Sequence, residues 1–288
     1  MLLVDEAVFY QVQGTKFIVI AATTDDFTFI ADLTKSVALV KAQMNEHFEL
    51  VDLGPINWLL GVSIVRSVKD QTITLGQEVY IDQILVRFGL DRARPAVTPM
   101  EAGVDFTPDS PSVSPTLLTA TKKTTYREMI GSLMYLAVMT QPDISFTVST
   151  LSQYLDAPRS THLNAVQHIF RYLSGTKQLK LVFGGKVNNI VGFSDADWAS
   201  HMHRHSISGF AFFVRQGVVS WSAKKQPIIT LSSTESKYVT LTHASKDIIW
   251  LHKLLKEISF LYPLSLPTTL DCNNQGAIEL SKDSKFHA

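Results

Sequence analysis

The sequence predicts an α/β protein with an α+β region, then a helical region, and then a mixed sheet with helices in the order β-β-β-α-β-α. Three observations support this class. Short apolar runs bounded by turn residues, which are typical of strands, alternate with segments that repeat apolar residues at helical spacing. A stretch rich in proline, serine and threonine separates the first region from the second. From Leu179 onward the apolar period changes to two, which indicates strands.

The composition indicates a folded chain with more than one domain. The 288 residues are 45% hydrophobic, which is enough for a large core, and only 18% are charged, too few for a disordered protein. No apolar run reaches the roughly 18 residues needed to cross a bilayer, and the first residues lack the basic start of a signal peptide. The single cysteine, Cys272, excludes an internal disulfide and suits a reducing compartment.

The first region contains a predicted β-hairpin. Two apolar runs, residues 17–22 and 27–31, flank the polar residues 23–26, and this pattern favours two buried strands joined by a turn. The further elements predicted in this region are a helix over residues 37–48, strands over 58–65 and 72–75, and an amphipathic helix over 78–88 that ends before Gly89.

A linker is predicted next, because residues 95–125 hold five of the eleven prolines and many serines and threonines. We expect this stretch to be extended and mobile. After it the sequence predicts helices over residues 126–139, 143–155 and 162–173, then strands over 190–193, 209–215 and 218–222, a helix over 234–258, a strand over 268–272 and a helix over 275–281. The predicted domains are residues 1–94, the linker 95–125, a helical segment 126–185 and a final domain 186–288.

Charge is unevenly distributed although the formal net charge is zero. Between residues 157 and 234 there are nine basic residues but only two acids, Asp195 and Asp197. Such a segment suits a nucleic-acid backbone beside a metal site, whereas a solvated surface with a chance imbalance explains it equally well. The residues predicted to bind nucleic acid are Arg159, Arg171, Lys177, Arg204, Lys224 and Lys225.

Two pairs of aspartates are candidate metal ligands. Asp25 and Asp26 lie at the hairpin tip, where adjacent carboxylates could bind a divalent ion or could form an ordinary exposed turn. Asp195 and Asp197 lie on the same face of a predicted strand, where they could share a metal or mark a solvated strand end. For the histidines of residues 201–205 a surface loop is favoured over a metal site.

Several local strings resemble the Pol polyproteins of copia-type retrotransposons. The strings VGFSDADWA at residues 191–199, VSWSAKKQP at 219–227 and LSSTE at 231–235 are similar to their RNase H domain, whose core has the order β-β-β-α-β-α. IGSLMYL at residues 130–136 and QPDI at 141–144 are similar to their connection segment, and other motifs extend the resemblance over nearly the whole chain.

The resemblance implies a truncated reverse transcriptase palm and thumb remnant, a connection segment and an RNase H-like domain truncated at its C-terminus. It implies that Asp25 and Asp26 are the metal-binding aspartates of the polymerase, where Mg²⁺ ions would bind. The family usually has tyrosine and valine before them, whereas Thr23 and Thr24 stand here. Its third aspartate belongs to an upstream strand, so we expect no polymerisation by this chain alone, and we expect upstream parts of a polyprotein to be missing.

For the RNase H-like domain the resemblance assigns the first Mg²⁺ ligand to Asp195. The second and third ligand positions hold Lys237 and Asn273, where the family has glutamate and aspartate, and the fourth carboxylate would follow Ala288. We therefore expect a retroelement fragment that retains the fold but does not hydrolyse an RNA–DNA hybrid, and we expect Lys237 to pair with Asp195. Two alternatives are open: residual RNase H activity that uses Glu235 and Asp271, and a non-catalytic nucleic-acid-binding module. The resemblance implies no membrane partner and an intracellular location, in a cytoplasmic particle or the nucleus.

Overall fold

A computed structural model describes residues 1–104, 106, 116–184, 190–199, 204–258 and 268–283 of the chain. The structure is 41% helical and 26% strand, which confirms the α/β class. No helix in the described part of the chain is long and apolar enough to cross a membrane. The chain divides into two compact units: Met1–Asn57 with Lys246–Leu264 as the first unit, and Trp58–Ser245 with Ser265–Ala288 as the second. These units cut the chain at other places than the domain boundaries predicted from the sequence.

The first unit contains a three-stranded antiparallel sheet. Its strands are β1 (Val8–Gln13), β2 (Lys16–Thr23) and β3 (Asp26–Ala31), in the order β1-β2-β3, and helix α1 (Thr34–Asn45) follows. The predicted hairpin is therefore confirmed as β2 and β3.

The prediction that this hairpin is buried is wrong for its second strand. Ile18 and Val19 of β2 are buried, but Phe27 and Ile30 of β3 are 41% and 50% exposed. Helix α1 has no buried residue. Within the described residues this sheet has three strands, and the helix that follows it contributes no buried side chain.

The second unit begins with a four-stranded sheet. Its strands are β4 (Trp58–Leu59), β5 (Val62–Ser67), β6 (Thr72–Gly76) and β7 (Leu181–Phe183), in the order β4-β5-β6-β7. The predicted single strand over residues 58–65 is instead the hairpin β4–β5. Leu60 and Gly61 have φ of 48° and 72°, and two successive residues in the left-handed region form the tight turn that two-residue hairpins use.

A helical core follows in the same unit. It is built from α2 (Glu78–Arg87), α3 (Ala120–Met139), a 3-10 turn (Pro142–Ile144), α4 (Ser145–Ser152) and α5 (Ser160–Thr176). The predicted linker differs from the structure, since α3 already begins at Ala120 and Phe106 is buried in this core. Residues 105 and 107–115 of that linker lie outside the described residues. Fully buried members of the core include Ile81, Tyr126, Leu133, Leu151 and Phe170.

His162 lies inside this core as a neutral side chain with both ring nitrogens bonded. Nδ1 accepts a hydrogen bond from the backbone N–H of Arg159 at 3.0 Å, and Nε2 lies 3.3 Å from the carbonyl oxygen of Phe106. The ring also stacks on Tyr154, with 4.1 Å between ring centroids. Burial lowers the pKa of His162 below its usual 6.5, and the nearby Arg159 lowers it further, whereas the bond to Phe106 acts in the opposite direction.

The stability of the chain is expected to fall as the pH decreases through the range in which histidines titrate. The unfolded chain protonates His162 near its usual pKa of 6.5, and the folded chain does so only at lower pH. The contribution of this histidine is thus fully present above about pH 6.5 and is lost as the pH falls through the folded pKa. Thermal unfolding measured from about pH 7.5 to about pH 5.5 should show a smaller decrease for His162→Gln. The same replacement at the exposed His47 is the control; an equal effect of both variants would contradict this assignment.

The second unit also contains a second four-stranded sheet, together with the part of a long helix up to Ser245 and a shorter helix. The elements are β8 (Ile190–Asp197), β9 (Ile207–Val214), β10 (Gly217–Lys225), α6 (Ser233–Glu257), β11 (Thr269–Cys272) and α7 (Gln275–Lys282), so the predicted order β-β-β-α-β-α is confirmed. The sheet has the strand order β10-β9-β8-β11. Strands β8, β9 and β10 are antiparallel, whereas β11 runs parallel to β8 and pairs Cys272 with Ser194.

Packing along β8 alternates as a half-buried strand requires. Ile190, Gly192 and Ser194 are buried, and Phe193 and Asp195 are exposed. A Cβ atom at Gly192 would lie 2.4 Å from the Phe212 ring, so only glycine fits beneath this buried aromatic side chain. The parallel pairing of β11 with β8 brings the carboxyl end of β11 beside Asp195. The candidate site lies at this end of the sheet.

Candidate functional site

Asp195, Lys237 and Asn273 converge on one point at the end of the second sheet. Asp195 lies on β8, Lys237 in the first turns of α6, and Asn273 directly after β11. The Nζ atom of Lys237 lies 2.8 Å from Oδ1 of Asp195 and also donates a hydrogen bond to Oδ1 of Asn273. The predicted pairing of Lys237 with Asp195 is confirmed.

The Lys237 ammonium is much better shielded from water than the carboxylate that it contacts. The side chain of Lys237 is 16% exposed and that of Asp195 is 63% exposed. The same Oδ1 atom of Asp195 also accepts a hydrogen bond from the backbone N–H of Ala196 at 2.7 Å. The site therefore combines one carboxylate, one ammonium and one neutral amide, with a formal charge near zero.

A buried hydrogen-bond cluster fixes the start of α6 against the sheet. The side-chain Nε2 of Gln226 lies 2.9 Å from Ser208 Oγ on β9 and 2.9 Å from the carbonyl oxygen of Ser236 on α6. Thr240, one turn further along α6, donates from Oγ1 to Ser208 Oγ at 2.8 Å. All four residues are buried. Because Lys237 directly follows Ser236, this cluster determines where the Lys237 side chain points.

Glu235 has a structural role at the beginning of α6. Its Oε2 atom accepts a hydrogen bond from the backbone N–H of Leu231 at 2.7 Å, and its own backbone N–H donates to Ser232 Oγ at 3.1 Å. The Ser232 hydroxyl thus accepts from Glu235 as a helix N-cap does, and the Glu235 carboxylate completes this cap by binding the N–H of the residue before Ser232, so that backbone donors which the helix cannot pair itself are satisfied. The alternative in which Glu235 is a substitute metal ligand would require it to leave this cap. Asp271, the other proposed substitute, is exposed on β11 opposite Phe193.

The residues at this site do not fit a divalent metal ion. Magnesium sites in proteins are built from several carboxylate and carbonyl oxygens. Of the three converging residues only Asp195 is a carboxylate, and the Lys237 ammonium lies between its oxygen and the amide oxygen of Asn273. Within the described residues, no group of three or more histidines, cysteines, aspartates and glutamates is placed to hold a metal ion.

Asp25 and Asp26 lie at the exposed tip of the β2–β3 hairpin in the first unit. Asp26 pairs with Thr23 at the end of the ladder, so Thr24 and Asp25 form the two-residue turn. Thr24 has φ of 46°, a left-handed conformation that is unusual for a β-branched residue. The two carboxylates are adjacent and accessible, as a polymerase hairpin requires and as an ordinary turn also allows.

Several of the basic residues predicted to bind nucleic acid have partners within the fold. Arg171 donates from Nε to the carbonyl oxygen of Arg94 at 2.8 Å, and Arg159 is the N-cap residue of α5, where its backbone N–H donates to His162 Nδ1. Lys177 forms an ion pair with Asp82 at 2.8 Å, and this hydrogen-bonded carboxylate raises the pKa of Lys177. The side chains of Arg171 and Lys177 thus bond to other segments of the second unit.

The other three basic residues lie in the last sheet and its loop. Lys224 and Lys225 are at the end of β10, and Arg204 has φ of 59° in the loop before β9. In the histidine cluster, residues 201–203 lie outside the described residues, and His205 Nδ1 is 2.8 Å from the Gln226 carbonyl oxygen. Binding of nucleic acid by any of these residues stays a prediction.

Gln226 and its partners were not indicated by the sequence as functional residues. A weak signal was present, because Ser236 and Thr240 are four residues apart and so share one face of α6. Small hydroxyl residues on the buried face of a helix require hydrogen-bond partners, and a buried glutamine side chain can provide such partners. The identity of that glutamine depends on tertiary contacts.

Comparison with known proteins relates the chain to retrotransposons. A family described as reverse transcriptase (RNA-dependent DNA polymerase) matches residues 3–102. The chain is 34% identical over 284 residues, 97% of its length, to the retrovirus-related Pol polyprotein from transposon TNT 1-94 of Nicotiana tabacum, and covers 21% of that protein. It is 30% identical over 286 residues, 99% of its length, to the Pol polyprotein from transposon RE2 of Arabidopsis thaliana, and covers 19% of it.

A shorter relative is covered over most of its length. The chain is 30% identical over 224 residues, 77% of its length, to a putative transposon Ty5-1 protein of Saccharomyces cerevisiae, and covers 70% of that protein. The chain spans about a fifth of the length of the Pol polyproteins that it matches. No solved structure matches the chain.

Proposed function

The chain belongs to the family of copia-type retrotransposon Pol polyproteins, and from this premise we propose that β8 to α7 form an RNase H-like domain that does not hydrolyse RNA–DNA hybrids. The sheet has the strand order β10-β9-β8-β11, and helix α6 lies in the chain between the antiparallel strands β8 to β10 and the parallel strand β11. This arrangement supports the RNase H-like fold. The observation that carries the proposal is the position of the Lys237 ammonium between Asp195 and Asn273.

The chemistry of hybrid hydrolysis explains why this position matters. In the family, carboxylates hold two Mg²⁺ ions that activate water and stabilise the leaving oxygen. Of the three positions that the resemblance assigns to these ligands, only Asp195 is a carboxylate. Two like charges at about 4 Å repel by about 4 kcal/mol at an effective dielectric of about 20, which corresponds to roughly a thousandfold loss of metal affinity. The ammonium of Lys237 would impose such a repulsion on an ion bound by Asp195.

We assign the first part of the chain to the reverse transcriptase. The match of residues 3–102 to that family supports this assignment. In it, Asp25 and Asp26 correspond to the paired aspartates of the polymerase, and the exposed hairpin tip agrees with that role. We propose no polymerisation by the described part of the chain, because no third carboxylate lies there with the two aspartates.

A second candidate function is binding of nucleic acid without catalysis. The excess of nine basic residues over two acids between residues 157 and 234 favours it. Lys224 and Lys225, at the end of β10, would be the first residues to test. Binding of this kind is compatible with an inactive RNase H-like domain. Neither candidate function predicts cleavage of a hybrid, and only the second requires that the chain bind one.

The test is an incubation of the whole chain with an RNA–DNA hybrid labelled on the RNA strand, in Mg²⁺ and separately in Mn²⁺. We expect intact RNA under conditions in which an active RNase H cleaves the same hybrid to completion. Binding is measured in parallel by fluorescence anisotropy at several salt concentrations. Cleavage by the parent chain that Asp195→Asn abolishes would refute the proposal. Affinity that falls steeply with salt would support the second candidate.

A further inference from the structure

The Lys237 ammonium has the surroundings of a bound cation. It contacts oxygen atoms from two other segments of the chain, the carboxylate of Asp195 on β8 and the amide oxygen of Asn273 after β11. Its side chain is 16% exposed, so its charge is largely removed from bulk water. A lysine in such a position is tolerated when its hydrogen bonds and its counter-charge are supplied locally.

We propose that Lys237 is a built-in cation that replaces a divalent metal ion as the link between β8, α6 and β11. This inference rests on the proposed function only for the assignment of the three ligand positions. It concerns how the domain is held together, and it predicts a fold whose stability is independent of metal ions.

The link through Lys237 matters because β11 is weakly attached. Strand β11 has four residues and, within the described part of the chain, pairs only with β8. Helix α7 follows and is capped by Asn274, whose side chain accepts a hydrogen bond from the N–H of Ala277 at 2.8 Å. The bond from Lys237 to Asn273 lies between these two elements and ties their junction to α6. Loss of the ammonium would leave Asp195 without its cation and Asn273 without its donor.

Replacement of Lys237 by methionine tests this link, because methionine keeps an unbranched apolar stem of similar length and removes only the charge and the donors. We expect the melting temperature of the whole chain to fall by about 5 °C. The control is Lys282→Met, which removes an exposed lysine paired with Glu279 on α7 and should change the melting temperature by less than about 1 °C.

The metal dependence of the melting temperature separates a built-in cation from an ordinary ion pair. The parent chain should melt at the same temperature in EDTA and in about 5 mM Mn²⁺. Lys237→Glu should melt at a lower temperature in EDTA, because two carboxylates then repel each other, and should regain stability as Mn²⁺ is added. The double variant Asp195→Asn, Lys237→Glu should show no increase in melting temperature when Mn²⁺ is added.

Three results would overturn the inference: a parent chain that Mn²⁺ stabilises, an unchanged melting temperature for Lys237→Met, or a Lys237→Glu variant without a response to Mn²⁺. The proposed function fails by a different result, which is hybrid cleavage by the parent chain. The two ideas can therefore fail separately.

Discussion

The combined replacement of Lys237 by glutamate and of Asn273 by aspartate is expected to produce Mn²⁺-dependent cleavage of RNA in RNA–DNA hybrids. The two substitutions place carboxylates at both altered positions, beside the carboxylate of Asp195 that is already there. Three converging carboxylates can hold metal ions that activate water, which one carboxylate beside an ammonium cannot. We expect a cleavage rate at least about 100-fold above that of the parent chain, measured with a labelled hybrid under single-turnover conditions.

The single variants and an inactivated double variant are the controls. Lys237→Glu alone should give weaker cleavage than the double variant, and Asn273→Asp alone should give none, because the ammonium would remain. Asp195→Asn within the double variant should abolish the activity. A double variant that binds Mn²⁺ and the hybrid but cleaves no RNA would show that ligands other than these two positions are missing.

Replacement of Gln226 by leucine is expected to have the largest effect on stability. Gln226 donates to Ser208 and to the carbonyl oxygen of Ser236, and these partners are buried. Leucine is of similar size but leaves the carbonyl oxygen of Ser236 without this donor. We expect the free energy of unfolding to fall by about 3 kcal/mol, since a buried polar group that loses its partner costs about 1–3 kcal/mol and here several are affected. Urea unfolding followed by circular dichroism measures this loss.

An exposed glutamine in the same domain provides the matched control. Gln275 on α7 is exposed and donates a hydrogen bond to Glu279 in the same helix, and Gln275→Leu should change the free energy of unfolding by less than about 0.5 kcal/mol. The Gln226→Leu variant should also weaken the Lys237–Asp195 contact, because the cluster orients the start of α6. Equal effects of the two glutamine replacements would contradict a role for the buried cluster.

The order of the elements could be predicted from the sequence, whereas some turns and pairings could not. The apolar period distinguishes strands from helices, so β8 to α7 and the helices α4 and α5 were predicted within a few residues, whereas α3 begins six residues before its predicted start. The hairpin β4–β5 was predicted as one strand over residues 58–65, because its turn, Leu60–Gly61, contains an apolar residue in a left-handed conformation. The pairing of β7 with β6 joins residues 106 to 110 positions apart, and no local pattern indicates it.

The candidate site could likewise be predicted only in part. The resemblance indicated that Asp195, Lys237 and Asn273 should converge, and the charges of Asp195 and Lys237 indicated that they should pair. The hydrogen bond from Lys237 to Asn273 and the cap formed by Glu235 depend on how α6 is rotated against the sheet. That rotation is set by Gln226, Ser208 and Thr240, which come from three separate segments. Such a cluster is a property of the packed fold, and the sequence alone could not reveal it.

A crystal structure of the whole chain soaked in MnCl₂, with anomalous diffraction data, tests the central claim most directly. The expected result is the Lys237 ammonium in contact with Asp195 and Asn273, with no anomalous peak for manganese beside Asp195. A manganese ion coordinated by Asp195, with Lys237 turned away, would contradict the claim that this lysine has replaced the metal.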